Sequence, residues 1–443
     1  MPTVRPFAGL GYALDRYGTP TVPERVRLPN EPPRHPGRVA DLTDVACPPY
    51  DVISDAQRDE LLERDAHNAV RLELNPDAED PHAAAVAELH AWIAAGVLER
   101  RSAPSVYYYS FAARPDSDQP MVHGVLSRVL LEPWGGGVRP HEHTMPGPKA
   151  ERLGLLRATR TQLSPILVLY FDRSERYRHV MSRPWTDEWR ACDADGLLHQ
   201  VAAVDPDERL LNYLSRQRLF VADGHHRYET ALAYQADVRA DTAVRDLPLG
   251  ALAADWVMAV LVNAQQEELR ILPTHRLLRA VDPAPLARSS ELFDAEPMPL
   301  DELPARLEAT PDDTTLFGLV LPGVRGWLLV GRPDAITERM RSERGSTAFR
   351  RLDLAVLHAA LLRDALGIDE AAVAGGRQLL YTRSAPDAIE RVQRGEVKGA
   401  VLVRPTRLEQ LAAVANAGDV MPHKSTYFHP KLLTGMVFNP LED

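Results

Sequence analysis

The stretch RLFVADGHHRYETALAYQ, residues 218–235, constrains the fold more than any other part of the chain. The apolar run Leu219–Ala222 is too short for a buried helix and reads as a buried strand. It ends at Asp223-Gly224, where glycine lets the backbone bend tightly or come close to a ligand. A helix-like pattern opening on Glu229 and Thr230 follows at once. A strand passing through one glycine into a helix implies an α/β or α+β fold with mixed sheets.

The turn is also chemically unusual. A helix N-terminus carries unpaired backbone N–H groups and a partial positive charge, which makes it an anion site. His225, His226 and Arg227 add side-chain donors there: Arg grips phosphate bidentately, and His can donate or shuttle a proton near neutral pH. Two other readings stay open. One histidine could belong to the core and the other to a solvated cap, with Asp223 only an N-cap. Two histidines and Asp223 are also metal-ligand types, although adjacent histidines lack the one-face geometry of HExxH.

Two further segments have the same character. RPHEHTMPGPKAERL gathers Arg139, His141, Glu142, His143, Thr144 and Lys149 in a Gly/Pro-framed loop. MPHKSTYFHPK gathers His423, Lys424, Ser425, Thr426, His429 and Lys431. Cations, hydroxyls and imidazoles are the donors that hold phosphates. Neither segment is a P-loop, and the chain has no GxSxG and no GxGxxG after a strand. Cys47, between apolar residues and prolines, reads as packing and not as a nucleophile.

Composition narrows the partners. The net charge is 51 − 62 = −11, against a general nucleic-acid binder, which offsets phosphate charge with a basic face. Two cysteines are too few for a disulfide framework or a thiolate zinc site. No apolar run reaches membrane-spanning length, and the opening residues hold no apolar core of signal-peptide length. A cytoplasmic protein without nucleic-acid or membrane partners is expected; its oligomeric state is not legible.

Along the chain, residues 1–50 read as short strands and proline-rich loops. SDAQRDELLERD reads as a helix capped by Ser54, and AVRLEL (69–74) alternates like a strand. A helix follows with Pro81 near its start. SVYYYSFAA and MVHGVLSRVLLEP form a strand pair, residues 148–160 a helix, 163–172 a buried strand, and DWVMAVLVNA another. From about Ala280 the chain turns acidic, proline-rich and weakly apolar, which marks a boundary. Beyond it come a hairpin at LFGLVLPGVRGWLLVG, a helix at FRRLDLAVLHAALLRDAL, and strand–helix–strand–helix. The expected domains are 1–280, motif-rich; 281–405, a smaller α/β domain; and 406–443, a segment folding back onto the N-terminal cleft, bringing Lys424 to the Gly224–Arg227 turn.

The motifs PPYDVIS, NAVRLEL, RPHEHTMPGPKAERLGLLRATRTQLSPI, ADGHHRYETAL, LVNAQQEELRILPTHRLL and GDVMPHKSTYFHPKLLTGMV run nearly end to end. Together they resemble a widespread bacterial and archaeal family, domain of unknown function ten-fifteen. The DGHHR turn is also similar to that of ParB/sulfiredoxin-like proteins, including free serine kinases. That second resemblance implies a ParB/sulfiredoxin-like nucleotide-binding core with an additional C-terminal α/β region. It implies phosphate contacts at Gly224, His225, His226 and Arg227, and for Asp223 a role in orienting a histidine or holding a metal ion.

The expected activity is that of a small-molecule kinase moving phosphate from ATP or ADP to a hydroxyl, with free L-serine as the specific acceptor. Lys149, Lys424, Ser425 and Thr426 would be further phosphate contacts. Glu142 would be the base, with Asp51 second and His226 a proton carrier. Mg2+ would bridge the phosphates. The alternatives are a non-catalytic nucleotide-responsive binding protein and a phosphate-ester hydrolase.

Overall fold

The computed structural model describes residues 1–18, 38–75, 78–113, 121–142, 146–174, 187–266, 269–281, 289–310, 314–369, 372–373, 378–422 and 424–442. The chain divides into two compact units. The first comprises Met1–Pro140, Thr144–Arg270 and His429–Asp443; the second comprises His141–His143 and Ile271–Phe428.

The first unit is built on a ten-stranded mixed sheet. Its order is Arg38–Asp41, Asp187–Cys192, Leu198–Val204, Val106–Ala113, Val122–Leu130, Trp256–Asn263, Ile166–Tyr170, Leu219–Asp223 and Val138–Arg139, with Val4–Arg5 pairing off Val122–Leu130. The expected hairpin is present: Val106–Ala113 pairs antiparallel with Val122–Leu130. Trp256–Asn263 runs parallel to Ile166–Tyr170, and Leu219–Asp223 runs antiparallel to it. Strand side chains alternate between faces. One face presents Ile166, Val168, Val257, Ala259 and Val221, which bury against Leu210 and Leu214 of the helix Glu208–Ser215 and against Tyr228 and Ala231 of the helix His225–Arg239. Each such valine, leucine or isoleucine contributes about 1.5–3 kcal/mol by leaving water.

The second unit has a six-stranded sheet ordered Phe293–Pro299, Arg325–Gly331, Leu316–Val320, Gly399–Leu402, His275–Leu278 and Leu379–Thr382. Every pairing in it is antiparallel. Its core joins Leu277, Leu316, Leu328 and Leu402 to Leu303 and Leu307, and to Ala388 and Val392 of the helix Ala385–Gln393. The fold is therefore mixed α/β with several sheets.

Two local expectations change. AVRLEL is not a strand: Val70–Glu73 is one helical turn. The Asn68 side chain accepts from Val70 N at 3.0 Å and donates to Asp44 O at 2.7 Å, so a local side-chain turn overrides the alternation. The acidic stretch after 280, read as element-poor, carries regular structure. Phe293–Pro299 forms an edge strand, where proline's missing donor does no harm, and Leu303–Ala309 is a helix. Other features hold: Ser54 forms a capping box on the helix Asp55–Arg64, and Pro81 opens Pro81–Ala94. Among the described residues, no helix is long and apolar enough to cross a membrane.

Candidate functional site

The turn forms where the strand Leu219–Asp223 runs out of apolar residues. Leu219, Phe220, Val221 and Ala222 are buried, and Asp223 is the first polar group at the end of the sheet. Gly224 has φ 89°, in the left-handed region, and is the N-cap of the helix His225–Arg239. A Cβ there would lie 2.7 Å from Ile166 Cγ2 and 3.0 Å from Arg227 Nε, so sterics as well as the dihedral require glycine. The bond from Tyr228 N to Gly224 O at 2.9 Å closes the first helical turn. The N–H groups ahead of it have no carbonyl four residues back within the helix, which leaves the helix's positive end at the turn.

Asp223 organises the cations there. Its Oδ2 accepts from Arg227 Nη2 at 2.6 Å, and its Oδ1 accepts from Lys431 Nζ. Burial alone would raise its pKa, but Lys431, Arg227 and His225 outweigh that and hold the carboxyl well below the usual range. Arg227 also donates to the Pro165 carbonyl. His225 and His226 are half-buried, with the His225 ring 6.3 Å from Trp134. Trp134 stacks on Tyr228 at 4.2 Å and donates to Glu229 Oε1 at 3.1 Å; the other Glu229 oxygen pairs with Lys149.

Behind the turn lies a buried polar network. Glu73 Oε2 accepts from Arg152 Nη1 and its Oε1 from Ser164 Oγ, each at 2.5 Å. Ser164 Oγ is 2.6 Å from Thr434 Oγ1, and the Arg152 guanidinium sits 4.1 Å over the Tyr50 ring. Burial pushes the Tyr50 phenol up to about 12. Glu73, Arg152, Ser164, Thr434 and Tyr50 carried no functional reading in the sequence, although each sits inside a motif quoted above. The signal that could have found them is charge: Glu73 and Arg152 each stand directly between or beside leucines, where a buried charge demands a partner. Asp51 lies exposed in the short turn Tyr50–Val52. Cys47 is buried, and burial pushes its thiol well up, which suits packing and not nucleophilic attack.

The other two polar loops meet each other within the second unit. Lys424 N donates to Glu142 Oε1 at 3.0 Å, and Met421 N donates to the His141 carbonyl at 2.7 Å. His141 Nε2 is 2.6 Å from Thr426 Oγ1. Ser425 Oγ donates to Pro422 O at 2.5 Å, and Lys424, at φ 57°, accepts from buried Arg276 at 3.1 Å through its carbonyl. The Lys424 side chain is exposed and has no ion-pair partner among the described residues. His143, Thr144 and His423 lie outside the described residues. Gly224, His225, His226, Arg227, Asp223, Asp51, Lys149 and Lys431 thus belong to the first unit, and Glu142, Lys424, Ser425 and Thr426 to the second.

Among solved structures, the chain is similar to a free serine kinase in complex with AMP, at 13% identity over 66% of this chain and 83% of that one, with a TM-score of 0.35. It is similar to a conserved hypothetical protein from Pyrococcus furiosus (11% identity, 67% and 89% covered, TM-score 0.34) and to SbnI with C-terminal truncation from Staphylococcus aureus (13%, 71% and 87%, TM-score 0.36). Superpositions this loose assign no residue a role. No curated protein matches. The family assignment comes from the sequence itself: the family model described as "Protein of unknown function (DUF1015)" matches residues 28–355, and the chain belongs to that family.

Proposed function

We propose that the chain is a small-molecule phosphotransferase with a ParB/sulfiredoxin-like nucleotide-binding core, moving phosphate from ATP or ADP to the hydroxyl of a small metabolite. One observation carries the reading: left-handed Gly224 opens a 15-residue helix at a sheet end, and Asp223 draws the side chains of Arg227 and Lys431 to that same end. Phosphoryl transfer asks the protein mainly for positioning and charge neutralisation. The helix N-terminus, His225, His226 and Arg227 meet the phosphates, while Lys431 and Lys149 add charge. The resemblance of the DGHHR turn to nucleotide-binding turns supports this.

In the transfer, the acceptor oxygen bonds to the terminal phosphorus as the bond from that phosphorus to the bridging oxygen breaks. The nucleotide leaves one phosphate shorter, and the hydroxyl proton passes to a carboxylate. Asp51 is the first choice for that base: it is exposed, in the same unit as the turn, and beside Tyr50. In the second unit Glu142 already accepts the Lys424 N–H, and Ser425 and Thr426 shape that loop with hydroxyls bonded to Pro422 and His141. Among the described residues no group of three or more His, Cys, Asp or Glu could cage a metal ion. Mg2+ entering on the phosphates needs only one or two carboxylates. Asp223 already has its charge offset by Arg227 and Lys431 and Asp51 is taken as the base, so the phosphates themselves would hold most of the ion's coordination. Bound there, Mg2+ would neutralise charge building on the phosphates.

The test is incubation of the protein with Mg2+, ATP or ADP and a pool of hydroxylated metabolites headed by L-serine, read by mass spectrometry. A new phosphoester that disappears in Arg227→Ala and in Lys431→Met supports the kinase. Nucleotide bound but unconsumed identifies a nucleotide-responsive binding protein, and phosphate released without an acceptor identifies a hydrolase. No nucleotide binding at all sinks the reading of the turn.

A further inference from the structure

A pocket of about 60 Å³ adjoins the turn inside the first unit, with Arg227 in its wall. Tyr50, Glu73, Arg152, Ser164 and Thr230 form its polar side, and Leu155, Leu163, Ala231 and Val257 its apolar side. The charges of the polar side satisfy one another. Glu73 receives Arg152 and Ser164, and Arg152 also donates to Glu151 and to the Glu73 carbonyl. Thr230 is the exception. It is 4% exposed, and its Oγ1 has no hydrogen-bond partner among the described residues. A threonine inside a helix ordinarily returns its hydroxyl to the carbonyl one turn back. Here, three residues after Arg227 on the same helix face, it lines the pocket with that bond unmade. A buried hydroxyl left unpaired carries the desolvation penalty of its lost water bonds, so a ligand atom that meets it removes that penalty.

We propose that this pocket receives a short neutral alcohol, or the uncharged alcohol-bearing end of a larger acceptor, hydrogen-bonded to Thr230. Size and charge both point there. At about 10–15 Å³ per water-sized occupant, the pocket has room for about four to six non-hydrogen atoms. The wall offers apolar area, the Thr230 hydroxyl and the Tyr50 phenol, while its two guanidiniums are already committed, Arg152 to Glu73 and Arg227 to Asp223 and the Pro165 carbonyl. A zwitterion such as L-serine would bring two ionic groups into a wall whose charges are already paired, at a steep desolvation cost. The alcohol oxygen would then sit beside Arg227, next to the phosphates that the turn is proposed to hold. This assignment of acceptor class rests on the phosphotransferase reading; the pocket's ligand chemistry can be tested without it.

The experiment is saturation-transfer NMR of the nucleotide-free protein with 1-propanol, 1-butanol and L-serine, each at millimolar concentration. Nucleotide binding is measured separately by calorimetry. The expected result is transfer to the two alcohols and none to L-serine. Thr230→Val should bind them about three- to tenfold more weakly, the loss of one hydrogen bond. Thr230→Ser should restore binding, and Ala231→Leu, which fills the pocket, should abolish it. Thr230→Val should also keep or gain thermal stability, since an unpaired hydroxyl is replaced by a methyl of the same shape. Alcohols that bind equally to wild type and Thr230→Val overturn the proposal, as does L-serine binding that depends on Thr230. No alcohol binding together with a more stable Thr230→Val variant means that the pocket holds water only. Calorimetry separates the failures: nucleotide binding without alcohol binding leaves the phosphotransferase reading standing and removes this one.

Discussion

The cluster around Asp223 and the cluster around Glu142 draw on the same residue types and use them differently. Asp223 faces two cations, so its carboxylate gathers charge at the end of a helix. Glu142 faces a backbone N–H, and Arg276 a backbone carbonyl, so those side chains hold a loop in shape. Burial differs as well: Arg276 is fully buried, and desolvation pulls its guanidinium down to about 10. The first arrangement leaves two cations around one carboxylate at a helix N-terminus. The second satisfies its own loop and offers solvent chiefly the Lys424 ammonium. Polar richness alone therefore does not identify a binding site; what the polar groups are bonded to does.

The largest expected effect lies under the first cluster. Glu73→Ala leaves the Arg152 guanidinium, 6% exposed, without its buried partner, and should cost about 3–5 kcal/mol in chemical denaturation. The double variant Glu73→Met, Arg152→Met should recover much of that loss. If the single variant costs under about 1 kcal/mol, the network is not what supports the turn.

Acidification should separate the two units next. His275 is buried in the second unit, accepts from Val403 N at 3.1 Å, and is held neutral: desolvation first, then Arg276, lowers its pKa from 6.5 to about 4. The unfolded chain therefore binds the extra proton first. The stability is fully present above pH 6.5 and is lost as pH falls to about 4, a total of about 3 kcal/mol. Asp223 shifts in the same direction in a lower window: its folded pKa also lies below the unfolded one, so its contribution is fully present above the unfolded carboxyl range and is lost only as pH falls below it toward the folded value. Urea midpoints between pH 7 and 4, with His275→Gln as the variant that flattens the curve, check this. An unchanged slope in that variant would assign the acid sensitivity elsewhere.

Much of the fold was legible where periodicity and caps agreed, as with Ser54, Pro81 and the strand–Gly224–helix turn. AVRLEL misled because an Asn68 side-chain turn is invisible to alternation. The strand Phe293–Pro299 was hidden because an edge strand can be mostly exposed and carry prolines. At the site, the turn was legible from residue types alone. The role of Lys431 was not, since its partner Asp223 lies 208 residues away. Glu73 and Arg152, 79 residues apart, were hidden for the same reason. Nor does a pattern of residue types disclose that Glu142 contacts a backbone.

A smaller effect separates shape from charge at the turn. Gly224→Ala must hold φ near 89° and fit a Cβ 2.7 Å from Ile166 Cγ2. The dihedral alone costs about 1–2 kcal/mol, and displacement of the isoleucine adds to it. Thermal denaturation should register that loss, and calorimetry should show nucleotide affinity falling with it, because the helix N-terminus moves. Asp223→Asn should instead leave the backbone in place while releasing Arg227 and Lys431 from their carboxylate.

The smallest effect tests the second cluster. In Glu142→Gln the side-chain oxygen still accepts the Lys424 N–H, but as a neutral amide, and a hydrogen bond to a charged group is worth about 1 kcal/mol more than a neutral one. The acceptor is partly exposed, so the stability change should stay under about 1 kcal/mol. Glu142→Ala removes the acceptor outright and leaves Lys424, at φ 57°, without the bond that helps fix its left-handed backbone. If Glu142 only shapes the loop, Gln should rescue what Ala loses, in stability and in any turnover alike. If it is the base, Gln should fail as completely as Ala in the phosphoryl-transfer assay while matching wild type in stability. That outcome would erase the contrast between the two clusters and place a catalytic carboxylate in the second unit.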